Sequence, residues 1–308
     1  MIRRLVNRRR VRELEPRIVW IFGSPRSGST WLLRLLGDLD SVVPINEPLI
    51  GWYLGPIMSD LPGLDAEALS SENFTLRRLQ RSKRSQFFSD EFALIWMAWL
   101  GRLIRERLYA EVRAYPAEAP LAKTLVVVKE PNGSQSADMI MEALPRSRLL
   151  FLLRDGRDVV DSELAASRKG SWVAAESTGA FRGVPDSERL DFVIQSAHKW
   201  VWRTEVVQAA YRDHPAEKHF VRYEDLLRDP EPGLRAILDW LGLSVSDAKL
   251  RALVERHAFE SLPSEERGPL KFHRAASPGL WRENLTAEEQ AAIERIMGPK
   301  LRELGYAA

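Results

Sequence analysis

Apolar residues along this chain recur with two different periods. Residues 18–22 are continuously apolar and run into Gly23, Ser24 and Pro25, after which Trp31, Leu32, Leu33, Leu35 and Leu36 return at helical spacing. That change of period predicts a strand, a tight loop and a helix. Residues 125–128, closed by Lys129, Glu130 and Pro131, and residues 149–153, ending at Arg154, predict two more buried strands, and residues 220–221 a short one that leads into Tyr223, Glu224 and Asp225. Helical patterns occupy 136–144, 157–166, 190–211 and 232–241, and a last helix starts near Thr286, whose hydroxyl forms a capping box with Glu289. Strands that are apolar on both faces and alternate with helices imply an α/β fold, a three-layer α/β/α arrangement around a central parallel sheet.

Residues 51–120 break the alternation. They hold few strand signals, a basic cluster at Arg77, Arg78, Arg81, Lys83 and Arg84, and an aromatic stretch around Trp96 and Trp99, and they read as a helical insertion over the sheet. With no internal repeat and no low-complexity linker, residues 1–308 are expected to form one domain, with 1–16 as a basic N-terminal arm. The chain has 308 residues, 45% apolar and 29% charged, as in globular proteins that bury a large core. Its 45 basic and 43 acidic residues leave a net charge of +2, so nothing global calls for nucleic acid, and an anion site has to be local. The absence of cysteine excludes disulfides, thiolate zinc sites, iron–sulfur clusters and cysteine nucleophiles, and fits a reducing cytoplasm. The first seventeen residues carry seven arginines without a signal-peptide core behind them; they read as a solvated arm able to touch an anionic membrane surface weakly. The longest apolar stretch, 92–100, is far shorter than the roughly 18 residues that span a bilayer and is expected to be a buried or substrate-facing helix.

The loop after the first strand carries the clearest chemistry. Gly23-Ser24-Pro25-Arg26-Ser27-Gly28-Ser29-Thr30 has the strand–loop–helix setting of a P-loop-like phosphate cradle, in which backbone N–H groups and a helix N-terminus face an anion. Ser29 stands where nucleotide triphosphatases carry the lysine that reaches the β- and γ-phosphates, and the cation comes earlier, as Arg26. Farther on, Arg154 at a strand end and Ser162 about two helical turns later can converge on a second phosphate. The five histidines show no metal-ligand spacing and are expected to be structural or on the surface.

The string Ser24-Pro25-Arg26-Ser27-Gly28-Ser29-Thr30-Trp31 resembles the 5′-phosphosulfate-binding loop of sulfotransferases that use 3′-phosphoadenosine 5′-phosphosulfate (PAPS). Arg154 with Ser162 resembles their 3′-phosphate motif, residues 220–226 are similar to a later strand and Tyr-Glu-Asp segment, and Gly279-Leu280-Trp281-Arg282 to a C-terminal loop. The blocks keep the family's order from residue 18 to residue 306. This resemblance implies a 5′-phosphosulfate on Arg26, Ser27, Gly28, Ser29 and Thr30, with Arg26 neutralising charge on the leaving phosphate oxygen. It implies Trp31 beside the adenine or in the core of the first helix, Tyr223 near the base, Arg154 and Ser162 on the 3′-phosphate, and Arg274 or Lys271 closing over it, although the family's Arg-Lys-Gly triplet is missing. Lys129 then resembles the lysine that contacts the transferring sulfonate.

The reaction so implied is an in-line transfer of sulfonate to an acceptor hydroxyl or amine, needing no metal, in which a base removes the acceptor's proton. Lys129-Glu130-Pro131 lacks the histidine that cytosolic small-molecule sulfotransferases place there. Glu47, in Asn46-Glu47-Pro48-Leu49 at the end of a second short strand, is similar to the glutamate of carbohydrate and tyrosylprotein sulfotransferases and is the preferred base; Glu130 competes for the role. The motifs tilt the acceptor towards a carbohydrate, glycolipid or other small molecule. Two further readings stand beside this one: a P-loop kinase of nucleosides or small molecules, disfavoured by the missing loop lysine, and a catalytically silent nucleotide-binding homologue.

Overall fold

A computed structural model of the chain describes residues 8–55, 81–115, 123–173 and 183–307. Five parallel strands form one sheet in the order β2-β3-β1-β4-β5, with β1 Ile18–Phe22, β2 Val42–Asn46, β3 Leu125–Lys129, β4 Arg148–Leu153 and β5 Lys218–Arg222. Strand side chains alternate between faces, and here both faces are covered. Ile18, Trp20 and Phe22 enter one core with Val126, Val128 and Phe151, whereas Val19 and Ile21 enter the other with Val127, Leu150 and Leu152. This accounts for the unbroken apolar runs of β1, β3 and β4. The edge strands are more polar: Pro44 has no N–H for a second neighbour and sits in β2, while Lys218 and His219 extend β5 beyond the two apolar residues that announced it.

The chain moves from β1 to β2 on one side of the sheet and from β3 to β4 across β1 to the other side. The carboxyl end of β1 is therefore a topological switch point, where an α/β sheet opens a crevice for ligands. Around it lie α1 Arg8–Leu14, α2 Ser29–Gly37, α3 Ile50–Leu54, α4 Ala93–Ala114, α5 Ala137–Ala143, α6 Gly156–Ala166 and α7 Arg189–Asp213. Then follow α8 Tyr223–Arg228, α9 Pro230–Leu241, α10 Asp247–Arg256, α11 Trp281–Asn284 and α12 Ala287–Glu303, the last opened by the Thr286–Glu289 capping box.

The helix expected over 92–100 corresponds to the first turns of α4, but its burial is divided. Trp96 and Met97 pack on Met139 and Ala143, and the Trp96 indole donates to the Ser89 carbonyl at 2.9 Å, whereas Leu94, Ile95 and Trp99 are exposed. The stretch is half-buried, because only one stripe of α4 meets α5. Arg77 and Arg78 of the basic cluster, and residues 1–7 of the N-terminal arm, lie outside the described residues. Among those described, no helix is long and apolar enough to cross a membrane.

Gly28 makes the turn from β1 into α2. Its φ is 82°, and a Cβ added there would lie 2.5 Å from ring carbons of Tyr223. Gly28→Ala is expected to destabilise the fold by about 1–3 kcal/mol through left-handed strain and displacement of that ring. The check is a lower urea midpoint with an unchanged m-value.

Candidate active site

The loop at the switch point is short of internal hydrogen bonds. The Ser24 and Ser27 hydroxyls are buried without a partner, and Arg26 joins Gly28 in left-handed backbone, with φ 63°. The Arg26 guanidinium lies over the rings of Trp172 and Phe272, at 5.6 and 5.0 Å. Its Nε donates to Ser162 Oγ and an Nη to the Phe272 carbonyl, both at 3.0 Å. Burial, with Arg154 nearby as a second cation, lowers its pKa to about 10, so it keeps its charge at neutral pH.

Arg154 leaves the end of β4, donates to the Arg26 carbonyl at 2.7 Å and lies 4.6 Å over the Tyr223 ring, while its Nε is buried and unpartnered. Tyr223 meets Trp31 edge to face, and the Trp31 indole donates to the His257 carbonyl at 2.9 Å. Trp31 thus both packs on the core beside α2 and lines the crevice. The loop before α11 is fastened to α6 by two carboxylates: Asp158 accepts from the Gly279 N–H at 2.8 Å, and Asp161 holds Arg274 and the Asn284 amide. Arg274 and Lys271 consequently reach the same cavity as Ser162. The structure brings Arg26, Arg154, Ser162, Tyr223 and Arg274, all candidates from the sequence, to one cavity, and Arg26 and Ser162, there assigned to separate phosphates, touch.

At the other end of the cavity, pairing of β2 with β3 places Asn46 beside Lys129, and the Glu47 N–H donates to the Lys129 carbonyl at 2.9 Å. Lys129 Nζ lies 2.8 Å from Glu47 Oε1 and donates to Thr30 Oγ1 at 2.8 Å, so one ammonium joins the start of α2 to the carboxylate. Asn132, which sequence reasoning passed over, donates its amide to Glu47 Oε2 at 2.9 Å. These residues share a cavity of about 1280 Å³. Glu130 does not line it. Its carboxylate is fully buried and accepts from the N–H groups of Leu49 and Gly51, each at 3.1 Å. The two glutamates that competed for one role therefore point to different places.

Trp172, Phe272, Asp158 and Asp161 were also missed as contributors. Asp158 and Asp161 repeat at i and i+3 on α6 just before Ser162, a spacing visible in the sequence, but what they hold lies more than a hundred residues away. A family model described as the sulfotransferase family matches residues 16–247, three quarters of the chain. Among solved structures, a mouse sulfotransferase complexed with PAP (adenosine 3′,5′-bisphosphate) superposes with a TM-score of 0.55 at 12% identity, covering 93% of this chain and 85% of that one. A sulfotransferase from Mycobacterium avium aligns over 94% of this chain and 77% of that one at 16% identity, with a TM-score of 0.47. With its phosphate loop at the switch point and that match, the chain belongs to the sulfotransferase family.

Proposed function

We propose that this protein transfers the sulfonate of PAPS to a hydroxyl of a small-molecule or glycan acceptor, with Glu47 as general base. The observation that carries the reading is the Thr30–Lys129–Glu47 chain, which sets a carboxylate at the edge of an anion-binding loop. PAPS supplies an activated sulfonate, whose bond to the 5′-phosphate oxygen breaks as the acceptor oxygen bonds to sulfur. The buried unpartnered hydroxyls of Ser24 and Ser27 and the unpartnered Nε of Arg154 are the kind of orphan that an anionic ligand satisfies. Ser27, Gly28, Ser29 and Thr30 would hold the 5′ side, and Arg154, Ser162 and Arg274 the 3′-phosphate, with Tyr223 and Trp31 beside the base.

Arg26 lies between the two groups and can serve both, since a guanidinium presents several donors in one plane. Lys129 offsets negative charge at the sulfonate and holds one oxygen of Glu47. Asn132 holds the other, so the carboxylate is oriented from both sides before an acceptor arrives. Glu47 takes the acceptor's proton as the new O–S bond forms, and preorganised cations supply most of the remaining stabilisation. The same reading takes residues 1–308 as one catalytic domain, because the C-terminal loop is tied to α6 and α12 packs on α7.

Two separated anion sites lead to a differential ligand effect. Adenosine 3′,5′-bisphosphate is expected to raise the melting temperature well above the shift given by AMP or ATP, and Arg154→Ala to remove that difference. Equal shifts from AMP and the bisphosphate in the wild-type protein would remove the 3′-phosphate assignment.

The base is tested with sulfur-35-labelled PAPS and a panel of monosaccharides, alkyl glucosides and phenols. With the acceptor that turns over fastest, Glu47→Gln is expected to lower kcat by about 10²- to 10⁴-fold, because the amide cannot take the proton. Bisphosphate affinity, measured by calorimetry, should hold. A Glu47→Gln enzyme with wild-type kcat would exclude Glu47 as the base.

A further inference from the structure

We propose that Glu130 is a positioning residue: its buried carboxylate straps the turn after β2 to the end of β3 and so fixes where Glu47 stands. The proposal rests on the reading of Glu47 as base and assigns a separate role to its former competitor. The turn it holds is strained. Glu47 has φ 45° and Leu49 φ 58°, both in the left-handed region that a residue with a Cβ keeps only if its surroundings enforce it.

The enforcement comes from one short segment after β3. The two oxygens of Glu130 accept the N–H groups of Leu49 and Gly51, one on either side of the Ile50 peptide, at 3.1 Å each. Ser136 donates to the Gly51 carbonyl at 2.9 Å and Asn132 to Glu47 itself. Packing leaves the turn no room to settle elsewhere: a Cβ on Gly51 would lie 1.9 Å from the Gly133 carbonyl oxygen, and one on Gly133 would lie 2.2 Å from a Glu130 carboxylate oxygen. A carboxylate is suited to this task, since it offers only acceptors and charge-assisted hydrogen bonds are about twice as strong as neutral ones. An amide or a protonated acid turns one of the two acceptors into a donor that faces an N–H.

The strap is therefore sensitive to protonation. Burial raises the Glu130 pKa to about 7; the amides of Gly51, Leu49 and Ile50 act against burial, and the charge of Glu47 adds to it. Glu47 is the charged side chain that acts on it from the turn, and Glu47 is itself paired with Lys129 at 2.8 Å. As pH falls through about 7 the carboxylate becomes neutral, the strap weakens, and kcat falls with it.

The first test needs no acceptor. Hydrogen exchange at the Leu49 and Gly51 amides of the wild-type protein, corrected for intrinsic pH dependence, should be slow at pH 8 and faster at pH 6, and fast at both in Glu130→Gln. The second uses labelled PAPS and the best acceptor of the panel. Glu130→Gln is expected to lose about tenfold in kcat at pH 8, to show no step near pH 7, and to keep its affinity for adenosine 3′,5′-bisphosphate. The double variant with Glu47→Gln should be no slower than Glu47→Gln alone, because a residue that acts only through Glu47 has nothing left to position.

Protection of Leu49 and Gly51 that is equal at the two pH values in wild type, a Glu130→Gln enzyme with wild-type kcat at pH 8, or full multiplication of the two losses in the double variant would each overturn the proposal. Should Glu130→Gln not fold, the wild-type exchange and rate profiles decide alone. Full activity of Glu47→Gln is a different result, since it removes the base itself and not the strap.

Discussion

The site depends on the parallel pairing of β2 with β3. That register sets Asn46 beside Lys129, so the first residue after β2 meets the last side chain of β3, and the Lys129 ammonium bridges Glu47 to Thr30. A shift of one residue would turn every side chain of β2 to the other face and carry Glu47 away from the phosphate loop. The register is held from both sides, by Val42 and Val43 in the apolar cores and by the hydrogen bonds from the segment 130–136 to the turn after β2. The geometry of the candidate site and the packing of the sheet are in this sense one problem.

A second constraint is charge. Arg26, Arg154 and Arg274 converge where the loop, β4 and the C-terminal segment meet, and like charges so placed raise each other's free energy when no anion is present. Aromatic faces answer part of this: Trp172 and Phe272 bracket Arg26, and Tyr223 carries Arg154. Carboxylates answer another part, with Asp161 paired to Arg274. The result is a cluster of cations fixed in place beforehand, which the proposed function assigns to the two phosphate groups of the nucleotide.

Much of this was legible in the sequence. The strand–loop–helix break at Gly23 to Thr30, the arginine after a buried strand at Arg154 and the capping box at Thr286 each depend on residues close in the chain, and local spacing reveals them. The α4 helix was legible as a helix but not in its burial, because which stripe is covered depends on where α5 lies. Glu47 and Glu130 were both visible as candidates. What separated them was the direction of two side chains, set by hydrogen bonds to amides 79 and 81 residues away, and no local pattern encodes that. Asn132 was hidden for the same reason, since its partner is 85 residues distant.

The account stands most directly on one structure: a crystal of the protein with adenosine 3′,5′-bisphosphate. It predicts the 5′-phosphate on the backbone of residues 27–30, the 3′-phosphate bound by Arg154 and Ser162, and the Glu47 carboxylate facing the open side of the 5′-phosphate beside Lys129. A nucleotide whose 3′-phosphate projects into solvent, or a 5′-phosphate with Glu47 turned away from it, would contradict the account.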